Sequence, residues 1–155
     1  MRIGLISDTH GKLRAEVLTH FEGVDRILHA GDIGDIAILT ELEAVAPVAA
    51  VWGNTDGFEI RQRVKETVEI EMQGRTVLVV HGHRIGAPTP AGLADAYPGN
   101  DIIVFGHTHR PARERIGQRL FLNPGSAGAP RFGLAPSIAI LELNDDREDF
   151  RLIQL

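Results

Sequence analysis

Residues 2–11 read RIGLISDTHG. Arg2 to Ile6 is a short aliphatic run that stops abruptly in Ser7-Asp8-Thr9-His10-Gly11. An apolar run of this length, bounded by turn residues, reads as a buried strand. The same figure recurs in RILHAGD (26–32), VAAVWGNTD (48–56), TVLVVHGH (76–83) and IIVFGHTH (102–109). Between the first three runs lie helical patterns. Leu13 to Phe21 places Leu13, Val17, Leu18 and Phe21 on one side, and Ile36 to Val45 is amphipathic and stopped near Pro47. Strands alternating with helices at this spacing predict βαβ units and a parallel sheet.

The second half is strand-rich. Thr67 to Met72 and Thr76 to Val80 flank Gln73-Gly74-Arg75 as a hairpin, and Pro90 to Ala96 is a short helix. Ile102 to Phe105, Leu120 to Leu122, Ser137 to Leu143 and Phe150 to Leu155 are further strands, with Gly, Pro, Asn and Asp in the turns between them. The simplest architecture is α/β: two packed β-sheets with helices outside.

The chain has 155 residues, the size of one domain spanning 1–155, with 43% hydrophobic and 24% charged residues, a globular composition. A net charge of −5 speaks against a general nucleic-acid binder, which carries a basic face. With no cysteine, disulfides are excluded and any metal must be held by nitrogen and oxygen. The N-terminus lacks the length and flanks of a signal peptide, and no run approaches the ~20 apolar residues of a membrane span. A soluble, cytoplasmic protein without membrane contact is expected. Oligomeric state is not legible in the sequence.

Each of the five apolar runs delivers Asp, His or Asn into a turn at its carboxyl end: Asp8 and His10, Asp32, Asn54, His81, His107 and His109. Sites in open α/β sheets form at the carboxyl ends of strands. Carboxylate and imidazole are ligands for divalent transition ions, and one carboxylate can bridge two of them. Glycines precede Asp32, Asn54 and His107, where they allow a sharp backbone turn. Five of the seven histidines stand at or beside these strand ends, while His20 and His29 lie apart. Each piece alone is an ordinary turn dipeptide or helix cap. Their order, each after an apolar run, is what points to a metal pair.

The series Asp8-x-His10, Gly31-Asp32-x-x-Asp35, Gly53-Asn54, His81 and Gly106-His107-x-His109 resembles the signature of the calcineurin-like metallophosphoesterases. Asn123-Pro124-Gly125-Ser126 with Pro130-Arg131 resembles the branch of YfcE-like phosphodiesterases, which is similar in turn to the retromer subunit Vps29. The resemblance implies a four-layer α/β/β/α sandwich of two mixed β-sheets flanked by helices. It implies one ion on Asp8, His10, Asp32 and His109, and a second on Asp32, Asn54, His81 and His107. Asp32 bridges them in this scheme, and Asp35 stands behind a ligand histidine. The activity implied is hydrolysis of a small phosphorylated substrate, a phosphodiester or a phosphomonoester, by a hydroxide shared between two ions about 3.5–4 Å apart. Asn54, His81 and Asp32 would carry catalysis. Sulfur-free, imidazole-rich ligation suits Mn²⁺ first, with Fe²⁺, Ni²⁺, Zn²⁺ or Co²⁺ as other occupants.

Arg131, Arg110 and Arg84 are candidates for phosphate oxygens, and His83 is expected at the pocket wall. Many members of the superfamily have a histidine after Gly-Asn that helps protonate the leaving group; Thr55 stands there instead and is a poor proton donor. Ser126 reads as a turn residue rather than a nucleophile. Segments 57–64 and 84–92 read as specificity loops, and Trp52 and Phe58 as core aromatics, with stacking on a base the alternative role. The competing expectation is a catalytically weak or inactive Vps29-like interaction module. Vps29-like chains tend to lose the His of Asp-x-His and the Asn of Gly-Asn; His10 and Asn54 are both present.

Overall fold

The computed structural model describes residues 1–145 and 147–155. In chain order the elements are β1 (Arg2–Ile6), α1 (Ala15–His20), β2 (Arg26–His29), α2 (Ala37–Glu43), β3 (Val48–Ala50), α3 (Phe58–Arg63), β4 (Thr67–Met72), β5 (Arg75–Val80), α4 (Pro90–Ala96), β6 (Ile102–Phe105), β7 (Ala112–Ile116), β8 (Arg119–Asn123), β9 (Ser137–Asn144) and β10 (Arg147–Gln154), with a 3-10 turn at His83–Ile85.

The strands form two five-stranded mixed sheets, ordered β10-β9-β1-β2-β3 and β4-β5-β6-β8-β7. β1, β2 and β3 run parallel in the first; β5, β6 and β8 run parallel in the second. Alternation along the strands sorts the side chains into layers. Ile3, Leu5 and Leu28 of the first sheet meet Val77, Val79, Ile102, Val104 and Leu122 of the second in a core between the sheets. Ile6 and Ile27 face outward onto Val17, Phe21, Leu39, Leu42 and Ile60 of the first three helical segments. Leu78, Val80, Ile103 and Phe121 face outward onto Leu93 of α4. The result is helix, sheet, sheet, helix, as the resemblance implies. No helix among the described residues is long and apolar enough to cross a membrane.

Three expectations change. Residues 57–64 hold α3 rather than a loop; its only apolar residues, Phe58 and Ile60, stand two apart, which gives no helical spacing. Phe58 is 79% exposed rather than in the core, whereas Trp52 is half-buried against it. β7, ARERI, has no counterpart among the predicted strands; it is an edge strand with three exposed charged residues between half-buried Ala112 and Ile116, so the period-2 pattern is erased. The hairpin turn is two residues, Gln73 and Gly74, both at positive φ (51° and 69°), as a tight hairpin requires.

Candidate metal centre

The carboxyl ends of β1, β2, β3, β5 and β6 bring the predicted ligands together. Asp8, His10 and His109 offer ligand atoms within 4.8 Å of one another, and so do Asp32, His81 and His107. Asp8, His10, Asp32, His107 and His109 all adopt positive φ, between 48° and 70°. Such backbone is uncommon for non-glycine residues. Its concentration at five of the seven predicted ligands marks a backbone shaped for the site.

Asp8, Asp32 and His81 each have one atom tied to the protein and another facing the centre, whereas the Nδ1 of buried His109 has no hydrogen-bond partner among the described residues. Asp8 Oδ2 accepts from Ser7 Oγ at 2.6 Å and from His107 N at 3.1 Å, while its Oδ1 is buried without a hydrogen bond among the described residues. Asp32 Oδ1 accepts from Thr55 N at 2.9 Å. Its Oδ2 points between the two clusters, 3.8 Å from His10 Nε2 and 3.4 Å from His81 Nε2. His81 Nδ1 donates to the Ala30 carbonyl at 2.8 Å, which turns Nε2 toward the centre in the orientation a ligand histidine needs. His10 Nε2 and His109 Nε2 face each other at 3.2 Å, with His109 Nε2 3.1 Å from Asp8 Oδ1. An orphaned carboxylate oxygen amid converging ring nitrogens fits a divalent ion with nitrogen and oxygen ligands. Asn54 Oδ1 lies 3.1 Å from His81 Nε2, at the edge of the second cluster.

Protonation follows the same plan. Burial lowers His10, with neighbouring Arg131 and His109 adding to the effect against the pull of Asp32 and Asp8. Burial also lowers His107, so both imidazoles are neutral at pH 7. Burial would raise Asp32, but hydrogen bonds from His81 and Thr55 and the charge of His81 hold it well below the usual carboxylate range. Burial opposes charge on His81 too, yet its hydrogen bond to Asp32 and the nearby carboxylates raise it.

Other residues build the site without a signal strong enough to single them out. Asp56 is buried and accepts from the backbone N–H groups of Ile33, Gly34 and Gly53 at 3.1, 2.8 and 2.8 Å. It locks the Asp32 loop to the Asn54 loop; its place two residues after Asn54 was the available hint. His29, far from apart, is fully buried beneath the centre. Its Nε2 lies 3.0 Å from Thr9 Oγ1, its Nδ1 accepts from Gly31 N at 3.2 Å, and Thr9 Oγ1 donates to the Ile33 carbonyl at 2.9 Å. Ser126 Oγ donates to the Asp8 carbonyl at 2.9 Å, and Asn123 Nδ2 donates to the Gly106 carbonyl at 3.1 Å, so the Asn-Pro-Gly-Ser turn braces two ligand segments. Asp35 is exposed and accepts from Ala37 N at 2.9 Å; it starts α2 and does not support a histidine.

The glycines divide in their roles. Gly31 takes φ +92°, a true left-handed turn. Gly53 and Gly106 do not; they provide room. A Cβ on Gly53 would stand 2.2 Å from Asp32 Oδ1, and one on Gly106 2.1 Å from Ser7 Oγ.

Around the mouth, Thr55 is exposed and Arg131 is exposed near His10. Arg84 is engaged by Glu66, and Arg110 is exposed on the far side of His107. The His83 ring lies between Trp52, tilted at 5.4 Å, and His107, edge-on at 6.5 Å between centroids.

The family model for the calcineurin-like phosphoesterase superfamily domain matches residues 1–146. The chain belongs to the calcineurin-like phosphoesterase superfamily. A probable metallophosphoesterase of Methanothermobacter thermautotrophicus is 36% identical, the match covering 99% of this chain and 92% of that protein. Phosphodiesterase YfcE of Escherichia coli is 31% identical over 92% of this chain and 88% of its own length. Among solved structures, wild-type Vps29 of Entamoeba histolytica complexed with Zn²⁺ superposes with a TM-score of 0.81 at 25% identity, covering 99% of both chains. Within this superfamily the two triads of Asp8, His10, His109 and Asp32, His81, His107 occupy one rim shared by both sheets.

Proposed function

We propose that the protein is a metal-dependent phosphoesterase with two divalent ions, hydrolysing phosphodiesters with good leaving groups and phosphomonoesters less readily. The observation that supports this is the position of Asp32 Oδ2, 3.8 Å from His10 Nε2 and 3.4 Å from His81 Nε2, where it faces both triads. Asp8, His10, Asp32 and His109 would hold one ion, and Asp32, Asn54, His81 and His107 the other, with Mn²⁺ the first candidate. Ions held there supply Lewis acidity and a hydroxide nucleophile at neutral pH.

The chain's own residues set the rest. Thr55 N–H holds Asp32 Oδ1 and leaves Oδ2 facing the centre. Arg131, exposed beside His10, is placed to take an outer phosphate oxygen. His83 shapes the wall beside His81; burial and the charge of His81 lower its pKa, so it is neutral at pH 7 and a weak proton donor. With Thr55 in place of a histidine, leaving-group protonation falls to water, which favours acidic alcohols.

The test is hydrolysis of bis(p-nitrophenyl) phosphate by metal-stripped protein, with Mn²⁺, Ni²⁺, Zn²⁺ or Mg²⁺ restored singly, beside Asn54→Ala. Metal-dependent turnover that collapses in the variant supports the proposal. Folded, metal-binding protein inert with every ion would move the assignment to a Vps29-like interaction module. Aliphatic monoesters turned over as fast as aryl diesters would remove the leaving-group argument.

A further inference from the structure

A cleft of about 510 Å³ opens directly beside the metal centre, and His107 is a wall of both. Its floor is Phe105, and its sides include Pro88, Pro90, Pro111 and Ala87. Three prolines leave those positions without a backbone N–H to offer. The two threonine hydroxyls in the lining already serve as acceptors: Thr89 Oγ1 accepts from Gly92 N at 3.1 Å as the cap of α4. Thr108 Oγ1 lies 3.1 Å from Asn123 Nδ2 and accepts from Arg110 N at 3.3 Å. The lining is thus mainly apolar, with two threonine O–H donors and the His107 ring as its polar groups and the Arg110 guanidinium at its edge.

Phe132 completes it. The turn Arg131–Leu134, closed by Leu134 N donating to the Arg131 carbonyl at 2.9 Å, holds Phe132 at φ 53° and 72% exposed. Its ring meets His109 edge-on at 6.1 Å and also lines the cleft. One turn thus carries a cation toward His10 and an aromatic side chain over the cleft. An exposed phenylalanine at a strained turn tip beside two ligand histidines is poorly explained by packing alone.

We infer that this cleft receives one ester substituent of the substrate and that the substituent is aromatic. The inference rests on the phosphoesterase assignment above and specifies its substrate class: a diester in which phosphorus sits at the two triads and an aryl ring lies between the proline wall and Phe132. Arg110 can lie over the ring face.

Phenylphosphonate and methylphosphonate share the anionic head and differ in the substituent. Isothermal titration calorimetry of Mn²⁺-loaded protein should show phenylphosphonate binding at least about tenfold more tightly, as burial of a ring predicts. Ala87→Trp, at an exposed loop position, should fill the cleft and bring the two affinities to within about twofold. Phe132→Ala should weaken phenylphosphonate by about three- to fivefold more than it weakens methylphosphonate. Equal affinities in the unaltered protein, or a preference untouched by Ala87→Trp, would overturn the cleft assignment while metal-dependent diester hydrolysis still stood. If neither phosphonate bound and no diester were hydrolysed with any ion, the cleft and the phosphoesterase assignment would fall together.

Discussion

Asp8 Oδ2 accepts the backbone N–H of His107 at 3.1 Å, joining the end of β1 in one sheet to the end of β6 in the other. The contact spans 99 residues of sequence and sets the two triads in register. It also leaves Asp8 Oδ1 buried and unbonded among the described residues, a costly state for a carboxylate without a cation.

Asp8→Asn should therefore separate structure from ligation. The asparagine carbonyl can keep both bonds to Oδ2, and its neutral amide replaces the orphaned oxygen. Metal-free protein should stay within about 1 kcal/mol of the unaltered chain. Ligand stabilisation amounts to about 4 kcal/mol at a thousandfold excess over Kd, and Mn²⁺ should deliver less than half of that in the variant. Urea unfolding with and without Mn²⁺ measures both quantities. A large loss in the metal-free comparison would make Asp8 structural instead.

Gly53→Ala tests the room argument. The new Cβ would stand 2.2 Å from Asp32 Oδ1 and 2.5 Å from Asp32 N, so Asp32 or its backbone must move. The shared oxygen would leave its place between His10 and His81. Metal affinity should fall by about a hundredfold or more, and folding stability by about 1–3 kcal/mol from overpacking. Calorimetric Mn²⁺ titration of folded variant gives the answer; unchanged affinity would contradict the placement of Asp32.

The sequence exposed the strand ends because each predicted ligand segment follows a short, mainly apolar run, a pattern that survives without any tertiary information. Asp8, His10, Asp32, Asn54, His81, His107 and His109 were all legible in that way. What stayed hidden was whatever depends on partners distant in sequence. His29 sits inside a strand as one more residue, and only the fold places Thr9 against it. The resemblance set Asp35 behind a ligand histidine, yet its side chain turns to the start of α2. β7 was masked because an edge strand can carry charge on both faces, and α3 because its only apolar residues, Phe58 and Ile60, stand two apart rather than at helical spacing.

Asp56→Ala addresses the brace that sequence reasoning passed over. Removing the carboxylate strands three backbone donors, on Ile33, Gly34 and Gly53. Hydrogen bonds to charged groups are each worth roughly 1.5–3 kcal/mol, and they do not add fully. A loss on the order of 3 kcal/mol in urea unfolding is expected, with weakened Mn²⁺ binding because the Asp32 and Asn54 loops part. A loss under about 1 kcal/mol would show the loops held by other contacts.

His29 gives the fold a pH dependence with a definite sign. Gly31 N–H points at Nδ1, and the Thr9 hydroxyl, donating to Ile33, accepts from Nε2–H. The ring is thus held neutral, and a second proton on Nδ1 would confront the Gly31 N–H. Burial pushes its pKa down to about 4, against 6.5 for an unhindered histidine. Between those values the unfolded chain takes up a proton that the folded chain refuses. The contribution is therefore complete above about pH 6.5 and is lost as pH falls toward 4, roughly 2–3 kcal/mol by pH 4.5. Gln at this position keeps an N–H for Thr9 and cannot charge. Urea unfolding of metal-free protein at pH 7.5 and 4.5 should show the unaltered chain losing about 2 kcal/mol more than His29→Gln. Equal losses in the two proteins would place the acid sensitivity on the other histidines and not on the one beneath the centre.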